Sequence, residues 1–227
     1  MPIPSITVCE SVKKHSKLIL IEPKPSVQKQ VFSDISNKRY YKPNRLTGLY
    51  TGSRFKGYQK CGTNSYEVVV EIQDVNIRES TLSGYLSIKG LTVEYPELTT
   101  FFEAEIIGPK YSFHTRKWQA DQKSDAAHWR RFPSFEPFVD KFNEDKFVYD
   151  EKDGDFVYMR WKEKFLVPDH HVNAIHGASF AGFYYICYQR SLNQIRGFYF
   201  FRQHKDWYQE LILDHVPDRG FGHFEFR

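Results

Sequence analysis

Cysteine is scarce in this 227-residue chain and carries no pattern: Cys9, Cys61 and Cys187 are the whole supply. An odd number with no Cys-x-x-Cys pair gives neither a disulfide framework nor a zinc knuckle. Asn-x-Ser/Thr acceptor sites are missing altogether. So is any run near the roughly eighteen apolar residues that a membrane-spanning helix requires. The best apolar stretch near the start, Leu18–Ile21, is too short for a secretory signal and lacks a small-residue cleavage site. No glycine-rich phosphate loop occurs. These absences point to a reducing setting, cytoplasmic or nuclear, and no cofactor or metal is expected. Charge of one sign is also in short supply. The net charge is +4, yet residues 1–45 hold nine Lys/Arg against three Asp/Glu (+6), and residues 46–227 hold 23 against 25 (−2). The basic excess belongs to the first segment alone.

That segment carries five prolines, Pro2, Pro4, Pro23, Pro25 and Pro43, and no sustained period. It is expected to be mostly disordered, with a short strand at Leu18–Ile21. A compact domain is expected over residues 46–214, followed by a C-terminal segment, 215–227. Aromatic residues are abundant in the chain, with 20 Phe, 15 Tyr and 4 Trp. Tyr and Phe suit pleated, half-buried surfaces. Strand signals recur at Leu49–Gly52, Tyr66–Gln73, Thr81–Lys89, Thr99–Ile107, Phe156–Phe165, Gly182–Arg190, Ile195–Arg202 and Tyr208–Asp214. Val68, Val70 and Ile72 share one face of the second; Leu82, Gly84, Leu86 and Ile88 share one face of the third. Eight strands with short turns predict an all-β, antiparallel eight-stranded barrel, because closure removes exposed edges. A barrel of this size holds one small ligand or chain end in its mouth.

Residues 122–146 depart from this pattern. Trp129, Phe132, Phe135, Phe138 and Phe142 recur every three or four positions, which is one face of a helix. Pro133 and Pro137 interrupt it. Two short helical pieces are expected, with a break near Phe132–Pro137.

Few motifs carry chemistry. Gly177-Ala-Ser179-Phe-Ala181 approaches a nucleophile elbow but ends in alanine and leads into a strand, so Ser179 reads as a loop serine. Asp169, His170, His171 and His176 lack helical metal-ligand spacing and read as solvated loop residues. Lys38-Arg-Tyr-Tyr-Lys42 mixes charge and rings as single-stranded nucleic-acid binders do, but it sits in the basic tail while the barrel has no basic excess. No nucleic-acid partner is expected. Glu163 is more informative. Alternation places Trp161, Glu163 and Phe165 on one face of an otherwise apolar strand end. Either Glu163 is solvated there, or it stands at the mouth of an aromatic-lined cavity and wants a cationic partner, since an unpaired buried charge is costly.

Several long stretches, Tyr50–Gln59, Gly90–Phe102, Thr115–Trp118, Met159–His170 and Gly177–Cys187, closely resemble the vacuolar-import-and-degradation family, the substrate receptors of the glucose-induced degradation (GID/CTLH) ubiquitin ligase. The resemblance runs from about Leu49 to Arg227. It implies a non-catalytic barrel that binds proteins by a free N-terminal proline, in the best known case gluconeogenic enzymes, with ubiquitin transfer left to other subunits. By position, Glu163 matches the family's anchor for the proline ammonium and Tyr184 the hydroxyl assisting it. Ser179 and Phe180 match the pocket loop, with Gly177 allowing close backbone approach, and Gln59 matches a polar contact to the ligand backbone. Val68, Leu86, Ile88, Leu91, Leu98, Leu166 and Tyr199 match the apolar wall. The C-terminal Phe224, Glu225, Phe226 and Arg227 match an anchor inserting into an armadillo-repeat scaffold subunit. The loops at Asn76–Ser80 and Pro109–Phe113 are candidates for the rim. Pro2, exposed if Met1 is removed, resembles the ligand itself and raises the expectation of self-occlusion.

Such a ligand is a charged secondary amine with two N–H donors and a compact apolar ring. Glu163 accepts one donor and Tyr184 or Ser179 the other. A four-residue ligand of roughly 30 non-hydrogen atoms at about −0.3 kcal/mol per atom is limited to near −9 kcal/mol, which is micromolar binding. The competing expectation is a lipocalin-like barrel for a small apolar molecule, which needs no acidic anchor.

Overall fold

The computed structural model describes residues 48–144, 146–150, 154–167, 169–172, 175, 179–202 and 209–217. The basic tail, His176, Gly177 and Phe224–Arg227 lie outside the described residues. Eight antiparallel strands close into a barrel in simple chain order: β1 (Arg54–Cys61), β2 (Asn64–Asn76), β3 (Thr81–Lys89), β4 (Glu97–Ile106), β5 (Phe156–Leu166), β6 (Phe183–Gln189), β7 (Gln194–Phe200) and β8 (Gln209–Val216). The last strand pairs back onto the first, from Arg54 opposite Val216 to Cys61 opposite Gln209. The all-β barrel expected from the sequence is the fold observed.

The inward faces are those the alternation predicts on β2 and β3, where Val68, Val70, Ile72, Leu82, Leu86 and Ile88 are buried in one core. The first strand is a correction. It runs over Arg54–Cys61 rather than Leu49–Gly52, and Leu49 instead packs into the core from the approach to β1. Phe55 is the one fully buried apolar residue of β1; the inward positions after it are Gly57, Gln59 and half-buried Cys61. Gly57 is there for a steric reason. A Cβ at this position would stand 2.0 Å from the carbonyl oxygen of Ile212 on β8, at the seam that closes the barrel.

A second layer covers the outside of β5, β6 and β7. The helix α1 (Gln122–Trp129), capped by Asp121 accepting from the Ser124 amide, is followed by a 3-10 helix over Pro133–Phe138. Two short helical pieces are thus present, but the break falls earlier than expected. Pro133 opens the second piece, where its missing N–H costs nothing, rather than interrupting it. Phe113, Trp129, Phe132 and Phe135 pack with Tyr158, Phe183, Tyr185 and Phe198 from the strands. Buried Asp125 ties the layers together, accepting from the Tyr185 hydroxyl at 2.8 Å and from the Thr115 amide at 2.8 Å. β6 is therefore buried on both faces over Phe183–Tyr188.

In an up-and-down barrel, alternate connections lie at the same end. The β1–β2, β3–β4, β5–β6 and β7–β8 links share one end; the β2–β3 turn and the long β4–β5 insertion share the other. The Asn76–Ser80 and Pro109–Phe113 loops consequently belong to the end opposite Glu163 and do not rim it, contrary to expectation. The last strand continues to Val216, two residues beyond its expected limit, with the His215 ring set edge-on against Phe55 at 5.1 Å.

A Gly57→Ala substitution should destabilise the barrel by about 1–3 kcal/mol through overpacking at the β1–β8 seam. Thermal unfolding checks this; an unchanged midpoint would mean the seam tolerates a side chain.

Candidate functional site

Glu163 lies near the end of β5, on the inner face and 4% exposed. A bulge follows it directly. Phe101 pairs with Phe165 and Phe102 with Glu163, so Lys164 is an extra residue without a partner on β4. The bulge resets the alternation: Glu163 and Leu166 face inward, while Phe165 is turned out and stacks on Phe101 at 5.2 Å. The expectation that Phe165 shares the face of Glu163 is corrected by this one inserted residue.

Among the described residues the carboxylate receives one hydrogen bond, from the Thr100 hydroxyl at 2.6 Å. It has no ion-pair partner among the described residues. Burial pushes the Glu163 carboxyl up to about 7, against the downward pull of the Thr100 bond and the Lys162 charge. Near neutral pH the group is thus poised between its two forms, and a cation beside it would ionise it. Below it, Trp161 stacks on Phe102 at 4.6 Å. The buried Trp161 indole N–H has no hydrogen-bond partner among the described residues.

Trp161 is the register partner of Tyr184 on β6, and Tyr184 that of Tyr199 on β7. The Tyr184 hydroxyl donates to Gln59 Oε1 at 2.8 Å, and Gln59 Nε2 donates to Gln209 Oε1 at 2.5 Å. With its proton committed to Gln59, the phenol oxygen of Tyr184 presents lone pairs as an acceptor. Burial first, and then the Glu163 charge, hold the Tyr184 phenol far above its ordinary range, so it stays neutral. The Tyr199 ring lies 4.9 Å from that of Tyr184.

The apolar residues expected to form a wall converge on this end. Val68, Ile88 and Leu98 lie in register across β2, β3 and β4; Leu86 pairs with Thr100, and Thr100 with Leu166. Leu91, half-buried in the β3–β4 loop, packs against the main core. Leu98 and Leu166 form a smaller cluster with Ile175, against which Phe180 packs. Ser179 is exposed, and its backbone carbonyl accepts from the Tyr199 hydroxyl at 2.7 Å. Thr100, Gln209 and Lys162 were not singled out from the sequence. Thr100 did leave a signal, a hydroxyl on the inward face of an apolar strand between Leu98 and Phe102.

Comparison with known proteins finds relatives over the whole barrel. Residues 48–216, spanning all eight strands, match the family described as "Vacuolar import and degradation protein". The chain is 56% identical over 180 residues to the Glucose-induced degradation protein 4 homolog of Mus musculus, covering 79% of this chain and 82% of that protein. It is 32% identical over 194 residues to the GID complex substrate-recognition subunit 4 of Schizosaccharomyces pombe, covering 79% and 97% respectively. It is 31% identical over 218 residues to the subunit of the same name in Saccharomyces cerevisiae, covering 70% and 60%. The chain belongs to the vacuolar import and degradation protein family.

Proposed function

We propose that the protein is the substrate-recognition subunit of a GID-type E3 ubiquitin ligase and that Glu163 anchors the free N-terminal proline of its clients. Its relatives in two yeasts are named as GID complex substrate-recognition subunits. The observation that carries the site is the buried carboxylate, which has one neutral donor and no ion pair among the described residues. Burying such a group without a cation is unfavourable. A prolinium ion supplies the missing charge and two N–H donors, one for Glu163 and one for the Tyr184 oxygen. The pyrrolidine ring then meets Leu86, Ile88, Leu98 and Leu166, and Gln59 is placed to meet the ligand backbone. The protein itself performs no chemistry in this reading. Gluconeogenic enzymes are the client class, and the C-terminal Phe224–Arg227 segment docks into the armadillo-repeat scaffold.

Glu163→Gln keeps the shape and removes the charge. It should weaken binding of a Pro-first peptide roughly ten- to hundredfold, the loss of a charge-assisted bond of about 1.5–3 kcal/mol. Acetylating the peptide should have at least as large an effect. Calorimetry checks both, and equal affinity for free and acetylated peptides would refute the anchor. A lipocalin-like carrier would take up its ligand equally well in wild type and variant.

The same substitution should raise stability at pH 8. Between the unfolded carboxyl value of 4.5 and the folded value of about 7, the folded state binds more protons than the unfolded state. Stability therefore falls as pH rises through that window, by about 3 kcal/mol in all, and the glutamine variant escapes the fall. A variant more stable at pH 8, little changed near pH 4 and deficient in binding excludes unfolding as the cause. Deleting Phe224–Arg227 should spare peptide binding and abolish co-purification with the ligase; unchanged co-purification would refute the docking role.

A further inference from the structure

The loop that leads into β6 is held from both sides. From the inside, the Tyr199 hydroxyl donates to the Ser179 carbonyl at 2.7 Å and accepts from the Gly182 amide at 2.9 Å. From the outside, Lys162 Nζ donates to three successive carbonyls: Phe180 at 3.0 Å, Ala181 at 3.0 Å and Gly182 at 2.9 Å. An ammonium has three donors, and all three are committed to three consecutive residues of chain. Gly182 allows the close fit, since a Cβ there would stand 2.1 Å from the Phe200 carbonyl oxygen and 2.7 Å from the Tyr199 ring.

Lys162 sits between Trp161 and Glu163 on β5, so its side chain leaves the opposite face of the strand. It lines an outer groove of about 550 Å³ together with Glu103, Glu105, Lys117 and Lys164. It is thus separated from the inner wall by the strand itself. The neighbouring lysines are matched to carboxylates, Lys164 to Glu103 at 2.7 Å and Lys117 to Glu105. Lys162 instead spends its charge on backbone, in the segment that carries Ser179 and Phe180.

We propose that Lys162 is a positioning residue: its ammonium, gripping the Phe180, Ala181 and Gly182 carbonyls from outside the barrel, presets the loop for ligand without touching it. The inference rests on the receptor reading for its consequence, though the grip itself is independent of any ligand. Because β5 carries Lys162 outward and Glu163 inward at consecutive positions, one strand fixes the charged anchor and the loop that borders it. A loop released from this grip samples other conformations, and apparent affinity falls in proportion to the competent fraction. The loss belongs to association, because contacts in the bound complex are unchanged.

The test compares Lys162→Met with Lys164→Met in the full chain. Each removes one positive charge beside Glu163; only the first removes loop bonds. In the unliganded proteins, Lys162→Met should speed hydrogen exchange at the Ala181 and Gly182 amides about tenfold, while Lys164→Met should not. For a Pro-first peptide, Lys162→Met should lower the association rate about tenfold with little change in dissociation, and Lys164→Met should leave both near wild type. Unchanged exchange in Lys162→Met would overturn the grip. Faster exchange with an unchanged association rate, or equal loss in the two variants, would overturn the positioning role. Failure of the wild-type protein to bind the peptide would defeat the receptor reading instead, and the exchange comparison would still decide whether the grip exists.

Discussion

A carboxylate held out of water with a single hydroxyl donor among the described residues is the constraint around which this barrel is organised. Left to itself, Glu163 weakens the fold at neutral pH, since its charged form is poorly solvated. The surroundings accommodate it without neutralising it. Thr100 supplies one bond, the bulge at Lys164 turns Leu166 rather than Phe165 inward next to it, and Gln59, backed by Gln209, accepts the Tyr184 hydroxyl so that a second acceptor is available. A fold selected only for stability would put an apolar residue at this position. Retaining the acid makes sense where something positively charged arrives from outside, and stability is given up for recognition.

Such a site works only if its walls hold still. The outer aromatic layer serves that purpose, because it converts β6 from a strand with one wet face into one packed on both. Tyr184 faces in and Tyr185 faces out, anchored to Asp125 on α1. The insertion therefore supports the inner wall from behind. The stretch Ser179–Gly182 leading into β6 is treated similarly, with Tyr199 on one side and Lys162 on the other. Side chains locked by packing and by supporting hydrogen bonds give a preorganised pocket, and the ordering cost is met on folding rather than on binding.

What could be read in the sequence follows the same division. β2 and β3 were legible because Val68, Val70, Ile72, Leu82, Leu86 and Ile88 keep strict period-two burial. β1 was not, because two of its inward positions are given to closure and to the site: Gly57 for the seam and Gln59 for Tyr184. Alternation puts Phe165 on the wrong face because a bulge leaves no mark in a period-two count. Thr100, Gln209 and Lys162 carry no local signal of their roles, since their partners lie far along the chain, 63 residues away for Thr100 and 150 for Gln209. Glu163 stood out as an acid on an apolar strand, but alternation could not separate a solvated strand end from a buried anchor. Its assignment to a ligand came from family resemblance.

The most direct measurement is the number of protons exchanged when a Pro-first peptide binds at pH 7, read by calorimetry in buffers of different ionisation enthalpy. With the empty carboxyl near 7 and the bound one ionised by the ligand's charge, wild type should release about half a proton, and Glu163→Gln should release none. Binding with no proton released by wild type, or with the same release from both proteins, would contradict the claim that a poised, buried Glu163 receives the chain's positive end.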